Sequence, residues 1–261
     1  MKKQIIILLT VCLLLVSCVS AQKKVEQSRE NSPEYQYNMG LFFLNEGKPD
    51  LAIPHFNRSI ALRADNYLSQ HALGIAYSMK GELEQAASFF QKALLINPQS
   101  SETRNNLGMV YQEMGFLEKA EKEYQAAIAD KNYASKALPH YNLARLYVMQ
   151  EKLQEAVFQL ESALKRDPRF VMAYSLKGNI MEQLDRYRDA VSCYRGALDS
   201  LDTHFADDTD IQFNLARAYY HIKEYNQSRR IFEQIYNLVS DPAMKKEMDD
   251  MLAEIKKIRS V

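Results

Sequence analysis

Residues 67–100 read YLSQHALGIAYSMKGELEQAASFFQKALLINPQS, and the spacing of small and aromatic residues in this stretch decides the fold. Gln70, Leu73, Gly74 and Tyr77 stand at i, i+3, i+4 and i+7, which puts them on one face of a helix. Ala86, Phe90 and Ala93 repeat that periodicity after Gly81, and Pro98 stops the second segment because proline cannot continue a helical ladder. The unit is a pair of helices joined by a tight turn.

The same frame recurs on both sides. The copy starting at Pro33 carries Met39, Gly40, Phe43, Ala52 and Phe56, and the copy starting at Ser101 carries Leu107, Gly108, Tyr111, Ala120, Tyr124 and Ala127, so the first three starts lie 34 residues apart. A fourth copy starts at Ala137 (Leu143, Ala144, Tyr147, Ala156, Leu160, Ala163, Pro168) and a fifth at Val171 (Gly178, Met181, Ala190, Tyr194, Ala197). The sixth, at Thr209, has Leu215, Ala216, Tyr219 and Phe232, with Ser228 and Ile235 in its small-residue slots. Extra residues before the fourth and sixth copies map to loops or to a lengthened second helix.

A glycine inside a helix costs roughly 1 kcal/mol relative to alanine, so Gly40, Gly74, Gly108 and Gly178 require a compensating contact. Small residues at the eighth and twentieth positions let the two helices approach, while aromatics at the eleventh and twenty-fourth fill the space around them. Gly47, Gly81 and Gly115 fall just past the first helix, where positive φ is commonly needed; Glu151, Asp185 and Lys223 hold that place later.

Over residues 33–241 this frame resembles the tetratricopeptide repeat. The resemblance implies an all-α, right-handed superhelical solenoid of six helix-turn-helix repeats (starts 33, 67, 101, 137, 171, 209) that binds proteins and is not an enzyme. The chain departs from the family pattern in having no tryptophan, in the residues at position four (Gln36, Gln70, Arg104, His140, Tyr174, Gln212), and in ending only two copies with proline. Beyond the repeats, residues 242–261 put Met244, Met248, Met251, Leu252, Ile255 and Ile258 on one helical face. A capping helix is expected, since an open solenoid exposes the apolar end of its last hairpin; the alternative is a Met-rich face that takes a partner helix.

The N-terminus carries a second signal. Lys2 and Lys3 precede an apolar run from Ile5 to Val16, short for a membrane span and suited to export. The run ends Leu15-Val16-Ser17-Cys18, which resembles the bacterial lipobox. That resemblance implies cleavage after residue 17, acylation of Cys18, and a membrane anchor of several acyl chains; an ordinary cleaved signal and an uncleaved anchor are the alternatives. Residues 18–32 are otherwise polar and read as a flexible tether. With no aspartate after Cys18, the expected location is the outer membrane of a bacterial envelope, facing the periplasm.

Cys12 leaves with the signal and Cys18 is acylated, so Cys193 is the one thiol left and reads as a small buried apolar residue. The chain has 33 basic and 33 acidic residues, and loss of Lys2 and Lys3 leaves 31 against 33, with no nucleic-acid footprint. His55, His71, His140, His204 and His221 are scattered, and no phosphate loop, nucleophile elbow or paired-cysteine motif occurs. The acidic loop Asp199, Asp202, Asp207, Asp208 and Asp210 lacks the glycine and terminal glutamate of an EF-hand. No metal, cofactor or small-molecule substrate is expected.

In the tetratricopeptide family the first helices line a concave groove, which directs attention to positions two, five, six, nine, twelve and thirteen. Position six holds Asn38, Asn106, Asn142 and Asn214, a ladder able to clamp the backbone of an extended peptide or else to bond between repeats. Beside them lie Tyr37, Leu41, Leu44, Leu68, His71, Ile75, Met79 and Met109 in the first three copies, an apolar half. Tyr141, Arg145, Phe213, Arg217 and Tyr220 make the later half better suited to an acidic segment.

The junction Ala127-Ile128-Ala129-Asp130-Lys131-Asn132-Tyr133-Ala134-Ser135-Lys136-Ala137, followed by Tyr141-Asn142-Leu143, resembles that of the type IV pilus biogenesis lipoproteins called pilotins, which share the lipobox, tether and six repeats. The resemblance implies a factor that escorts secretin subunits to the outer membrane through an apolar groove near its N-terminal repeats. The competing class is an adaptor lipoprotein that tethers or regulates envelope proteases or peptidoglycan hydrolases.

Overall fold

The computed structural model describes residues 31–130, 133–201 and 208–259. The signal segment, Cys18, nearly all of the tether, Lys131, Asn132, Asp202 and Asp207 lie outside the described residues. Within them there are thirteen α-helices and no strand. The chain divides between Asp130 and Lys131 into two compact units.

The first unit holds α1 (Pro33–Asn45), α2 (Pro49–Leu62), α3 (Tyr67–Met79), α4 (Leu83–Ile96), α5 (Ser101–Glu113) and α6 (Leu117–Ala129). They form three successive hairpins in which the second helix of one packs on the first helix of the next, and α1 touches α3 as α3 touches α5. The second unit holds α7 (Ala137–Met149), α8 (Leu153–Arg166), α9 (Val171–Gln183), α10 (Tyr187–Ser200), α11 (Thr209–His221), α12 (Tyr225–Ile235) and α13 (Pro242–Arg259). It repeats the hairpin arrangement and ends with α13 against α12.

The first helices begin at the residues where the sequence copies begin. Four of them are capped by a side-chain oxygen that accepts the amide three residues on: Ser32 from Tyr35, Asn66 from Ser69, Ser100 from Thr103, and Asp208 from Ile211. Asp208 of the acidic loop is therefore a cap.

All six hairpin turns close alike. In the first, Gly47 N–H donates to the Leu44 carbonyl and Lys48 N–H to Phe43; in the last, Lys223 donates to Tyr220 and Glu224 to Tyr219. The pivotal residue has positive φ throughout: 69°, 74° and 80° at Gly47, Gly81 and Gly115, then 59°, 56° and 65° at Glu151, Asp185 and Lys223.

Hairpin packing rests on a glycine against a ring. A Cβ placed on Gly40, Gly74, Gly108 or Gly178 would stand 2.4 Å from Phe56, 2.6 Å from Phe90, 2.7 Å from Tyr124 or 2.5 Å from Tyr194. The eighth position thus faces the twenty-fourth directly, and those rings are almost fully buried. Ala144 with Leu160, and Ala216 with Phe232, occupy these places in the remaining hairpins, all fully buried. α10 has 14 residues, the same as α2, α4 and α8, so the residues gained before the sixth copy do not lengthen a helix.

On α13, Met248 and Ile255 are buried and Met244, Met251 and Leu252 partly so, whereas Ile258 is 43% exposed and departs from the expected apolar face. Polar links fix the helix: Tyr236 Oη donates to Asp249 at 2.8 Å, Arg217 lies 3.7 Å from Glu247, and burial together with a hydrogen bond to Glu254 pushes the Tyr220 phenol up to about 12. Cys193 is 7% exposed, and its burial pushes the thiol above its ordinary range. Among the described residues no helix is long and apolar enough to cross a membrane.

Candidate protein-binding face

Helix α3, YLSQHALGIAYSM, contains no charged residue, and its 67–79 span leaves Ile75 half-buried and Met79 50% exposed. Across from it α5 presents Asn106, half-buried, and Met109, 37% exposed. Between the two helices lies a depression of ≈ 170 Å³ lined by Ile75, Ser78, Met79, Phe90, Asn106 and Met109. The Phe90 ring that Gly74 admits against α3 belongs to this lining, so the hairpin contact and the depression share one side chain.

Asn106 supplies the depression's amide. Its Oδ1 accepts a long bond from Asn105 Nδ2 at 3.5 Å, while its own N–H groups have no partner among the described residues. Asn105 Nδ2 also approaches Met109 Sδ at 3.9 Å.

Four of the groove residues read from the sequence, Ile75, Met79, Asn106 and Met109, meet in this depression. Asn38 is exposed on α1, while Tyr37 and Leu41 are half-buried and pack toward the first unit's core. Burial, then the Glu102 carboxylate, raises the Tyr37 phenol above its usual range, which places Tyr37 within electrostatic reach of α5.

His71 is corrected. It is 8% exposed and shares a 2.8 Å hydrogen bond with Thr103 Oγ1, with its ring 5.5 Å from Phe90, so it ties α3 to α5 and α4 and does not present itself to a ligand. Burial lowers its imidazole below the usual value, opposed by nearby Glu102. Leu44, 8% exposed, likewise belongs to the core.

The second unit diverges further from expectation. Asn142 is 3% exposed and engaged, so it cannot extend an exposed ladder, while Asn214 is half-buried. Arg217 donates from Nε and Nη2 to the two carboxylate oxygens of Glu182, and its Nη1 lies 3.7 Å from Glu247, so its guanidinium is already neutralised within the chain. Phe213 is 2% exposed and packs at 5.7 Å from Phe232. Arg145 is exposed and has no carboxylate partner among the described residues; it stands 6.0 Å from the Tyr141 ring, which packs at 5.1 Å on Phe170. Leu138, Met149 and Met172, at positions two and thirteen, are 38%, 57% and 52% exposed. The later copies are therefore more apolar on their first helices than their charges suggest. Ser78 stands at the marked position twelve but was passed over beside the apolar residues, and Phe90 lies on the second helix, outside the marked positions.

Among the described residues no three His, Cys, Asp or Glu side chains gather to hold a metal. What the first unit offers is shape, apolar surface and an amide, the means of holding a polypeptide.

Comparison with known proteins agrees with this architecture. Family models described as tetratricopeptide repeat match residues 33–66, 68–100, 99–169, 141–201 and 176–243. No curated protein matches the chain in sequence. Among solved structures, Pseudomonas aeruginosa PilF superposes with a TM-score of 0.74 at 16% identity, covering 85% of this chain and 99% of its own. PilW, a widely conserved type IV pilus biogenesis factor, gives 0.71 at 15% identity over 83% and 98%. YrrB, a tetratricopeptide-repeat protein with an unusual peptide-binding site, gives 0.58 at 16% over 75% and 97%. With six glycine- or alanine-pinned hairpins in sequence and the repeat models covering them in succession, the chain belongs to the tetratricopeptide-repeat family of protein-interaction scaffolds, and its fold is similar to that of PilF and PilW.

Proposed function

We propose that this chain is a non-enzymatic, lipid-anchored assembly factor of the bacterial envelope that holds a pilus secretin subunit on the first-helix face of its N-terminal repeats. The observation that carries the reading is the apolar depression between α3 and α5, where Ile75, Met79 and Met109 surround the Asn106 amide. Such a pocket suits a side chain and a stretch of backbone. The fold likeness to PilF and PilW over most of this chain supports the pilus context. The lipobox-like Leu15-Val16-Ser17-Cys18 supports the anchor: acylated Cys18 holds the chain on the outer membrane, and the polar tether lets the repeats work in the periplasm.

The test places a photo-crosslinking residue at Met79 or Met109 in cells and identifies what is captured. Capture of a secretin subunit supports the reading; capture of a protease or peptidoglycan hydrolase with no secretin replaces it with the adaptor reading. In parallel, Cys18→Ser should abolish acyl labelling and release the protein from membranes. Retention after a salt wash, with no acyl label on the parent protein, would overturn the anchor.

A further inference from the structure

We propose that the segment seated on the α3–α5 face is extended and basic, with one bulky apolar residue in the depression and a lysine or arginine on each side of it. This rests on reading that face as the partner-binding surface. Helix α5 presents Glu102, Asn106, Met109 and Glu113 at spacings of four, three and four residues, so the four lie along one stripe. The Glu102 side chain is 71% exposed, and its nearest basic group is His71 Nε2 at 4.0 Å. Glu113 is exposed and has no basic partner among the described residues. Compensation does not come from elsewhere on these helices. α3 carries no charge, and Arg104, the cation of α5, is turned away to Glu123 at 3.0 Å and to the Pro98 carbonyl at 3.0 Å. Two carboxylates without a lysine or arginine partner therefore bracket an apolar pocket.

The size and chemistry of the pocket choose the conformation of the occupant. A volume of ≈ 170 Å³ takes one aliphatic or aromatic side chain, whereas an amphipathic helix brings three or four anchors. The unpaired N–H groups of Asn106 need a carbonyl acceptor, and a helical ligand has already used its own. From Glu102 to Glu113 the helix rises about 16 Å at ~1.5 Å per residue. An extended chain spans that distance in about five residues at ~3.3 Å each. The pattern sought is thus basic, apolar, basic within about six residues. Being solvent-exposed, the charge contribution is screened by salt.

The full-length chain is titrated by fluorescence anisotropy against three synthetic peptides of equal length. One has a central leucine between two lysines, the second has serine for the leucine, and the third has glutamates for the lysines. The first should bind about tenfold or more tighter than either twin, with the lysine advantage shrinking as salt rises from about 50 to 500 mM. In a Glu102→Gln, Glu113→Gln variant the lysine and glutamate peptides should bind alike while the leucine preference stays. Equal binding of lysine and glutamate peptides by the parent, an unchanged preference in the variant, or binding of none of the three overturns the inference. The crosslinking at Met79 and Met109 is independent: capture of a partner through an acidic or uncharged segment sinks the basic-segment inference and leaves the face standing.

Discussion

Gly74 lies against Phe90 so closely that a methyl group on the glycine would stand 2.6 Å from the ring. Phe90 is 1% exposed within the hairpin, so the ring cannot make way without disturbing its packing. Gly74→Ala should therefore cost about 1–3 kcal/mol through overpacking, against the ~1 kcal/mol that alanine returns in helix propensity. The fourth hairpin carries the compensated pair, Ala144 with Leu160. Adding Phe90→Leu to Gly74→Ala should recover part of the loss, a positive coupling in a double-mutant cycle read from urea midpoints; additive losses would show that the ring is not the obstacle.

The six turns offer a test without contacts. A Cβ on Gly81 would have nothing within 4 Å, so Gly81→Ala acts through its φ of 74° alone and should destabilise by about 1 kcal/mol. In reverse, Lys223→Gly relieves a side chain from φ of 65° and should stabilise by up to about 1 kcal/mol, whereas Asp185→Gly, from φ of 56°, should gain less because it also loses the 3.0 Å hydrogen bond that Asp185 accepts from Tyr187 Oη. Denaturant midpoints that move the other way would refute a conformational cause.

The repeat frame was legible because glycine, ring and turn positions obey local spacing, and Gly40, Gly108 and Gly178 show the same contact as Gly74. The binding face was only partly legible. Helical periodicity tells which side of a helix His71 or Asn142 occupies, but not how near the neighbouring helix comes, and both proved buried. Arg217 illustrates the other limit, since its partner Glu182 lies 35 residues earlier and Glu247 sits on α13. Charge reading from one repeat could not find either. Exposed Met149 and Met172 were in the frame at positions thirteen and two and were overlooked beside the more conspicuous Arg145.

Ser228 occupies the twentieth position of the last hairpin, where the other five have alanine, and its hydroxyl is fully buried without a hydrogen-bond partner. An unsatisfied buried hydroxyl is costly, and alanine fits the same space. Ser228→Ala should raise stability by about 1 kcal/mol, seen as a higher thermal midpoint. A lower midpoint would mean that the hydroxyl has a partner in solution.

Burial lowers the imidazoles of His71 and His140 below their ordinary value of 6.5, with Glu102 and the Gln159 hydrogen bond opposing the shift respectively. The unfolded chain then binds protons that the folded chain refuses. Stability should accordingly be full above about pH 7 and fall as the pH drops below 6.5 toward the depressed folded values. Urea midpoints at successive pH values should show that slope, flattened in a His71→Gln, His140→Gln variant. An equal slope in the variant would assign it to other groups.

Asn106 and Asn142 share the sixth repeat position and should nevertheless respond oppositely to replacement. Asn142 is 3% exposed and engaged, so Asn142→Ala strips a buried polar contact and should cost about 1–3 kcal/mol of stability. Asn106 is half-buried beside Met109, and its N–H groups have no partner among the described residues, so Asn106→Ala should change stability by less than about 0.5 kcal/mol. Its loss should appear in binding, because the amide faces the depression and not the core. Thermal melts separate the first pair of expectations, and anisotropy with the lysine-flanked leucine peptide separates the second. If Asn106→Ala melts lower and binds undiminished, the amide is structural and the depression lacks its polar contact.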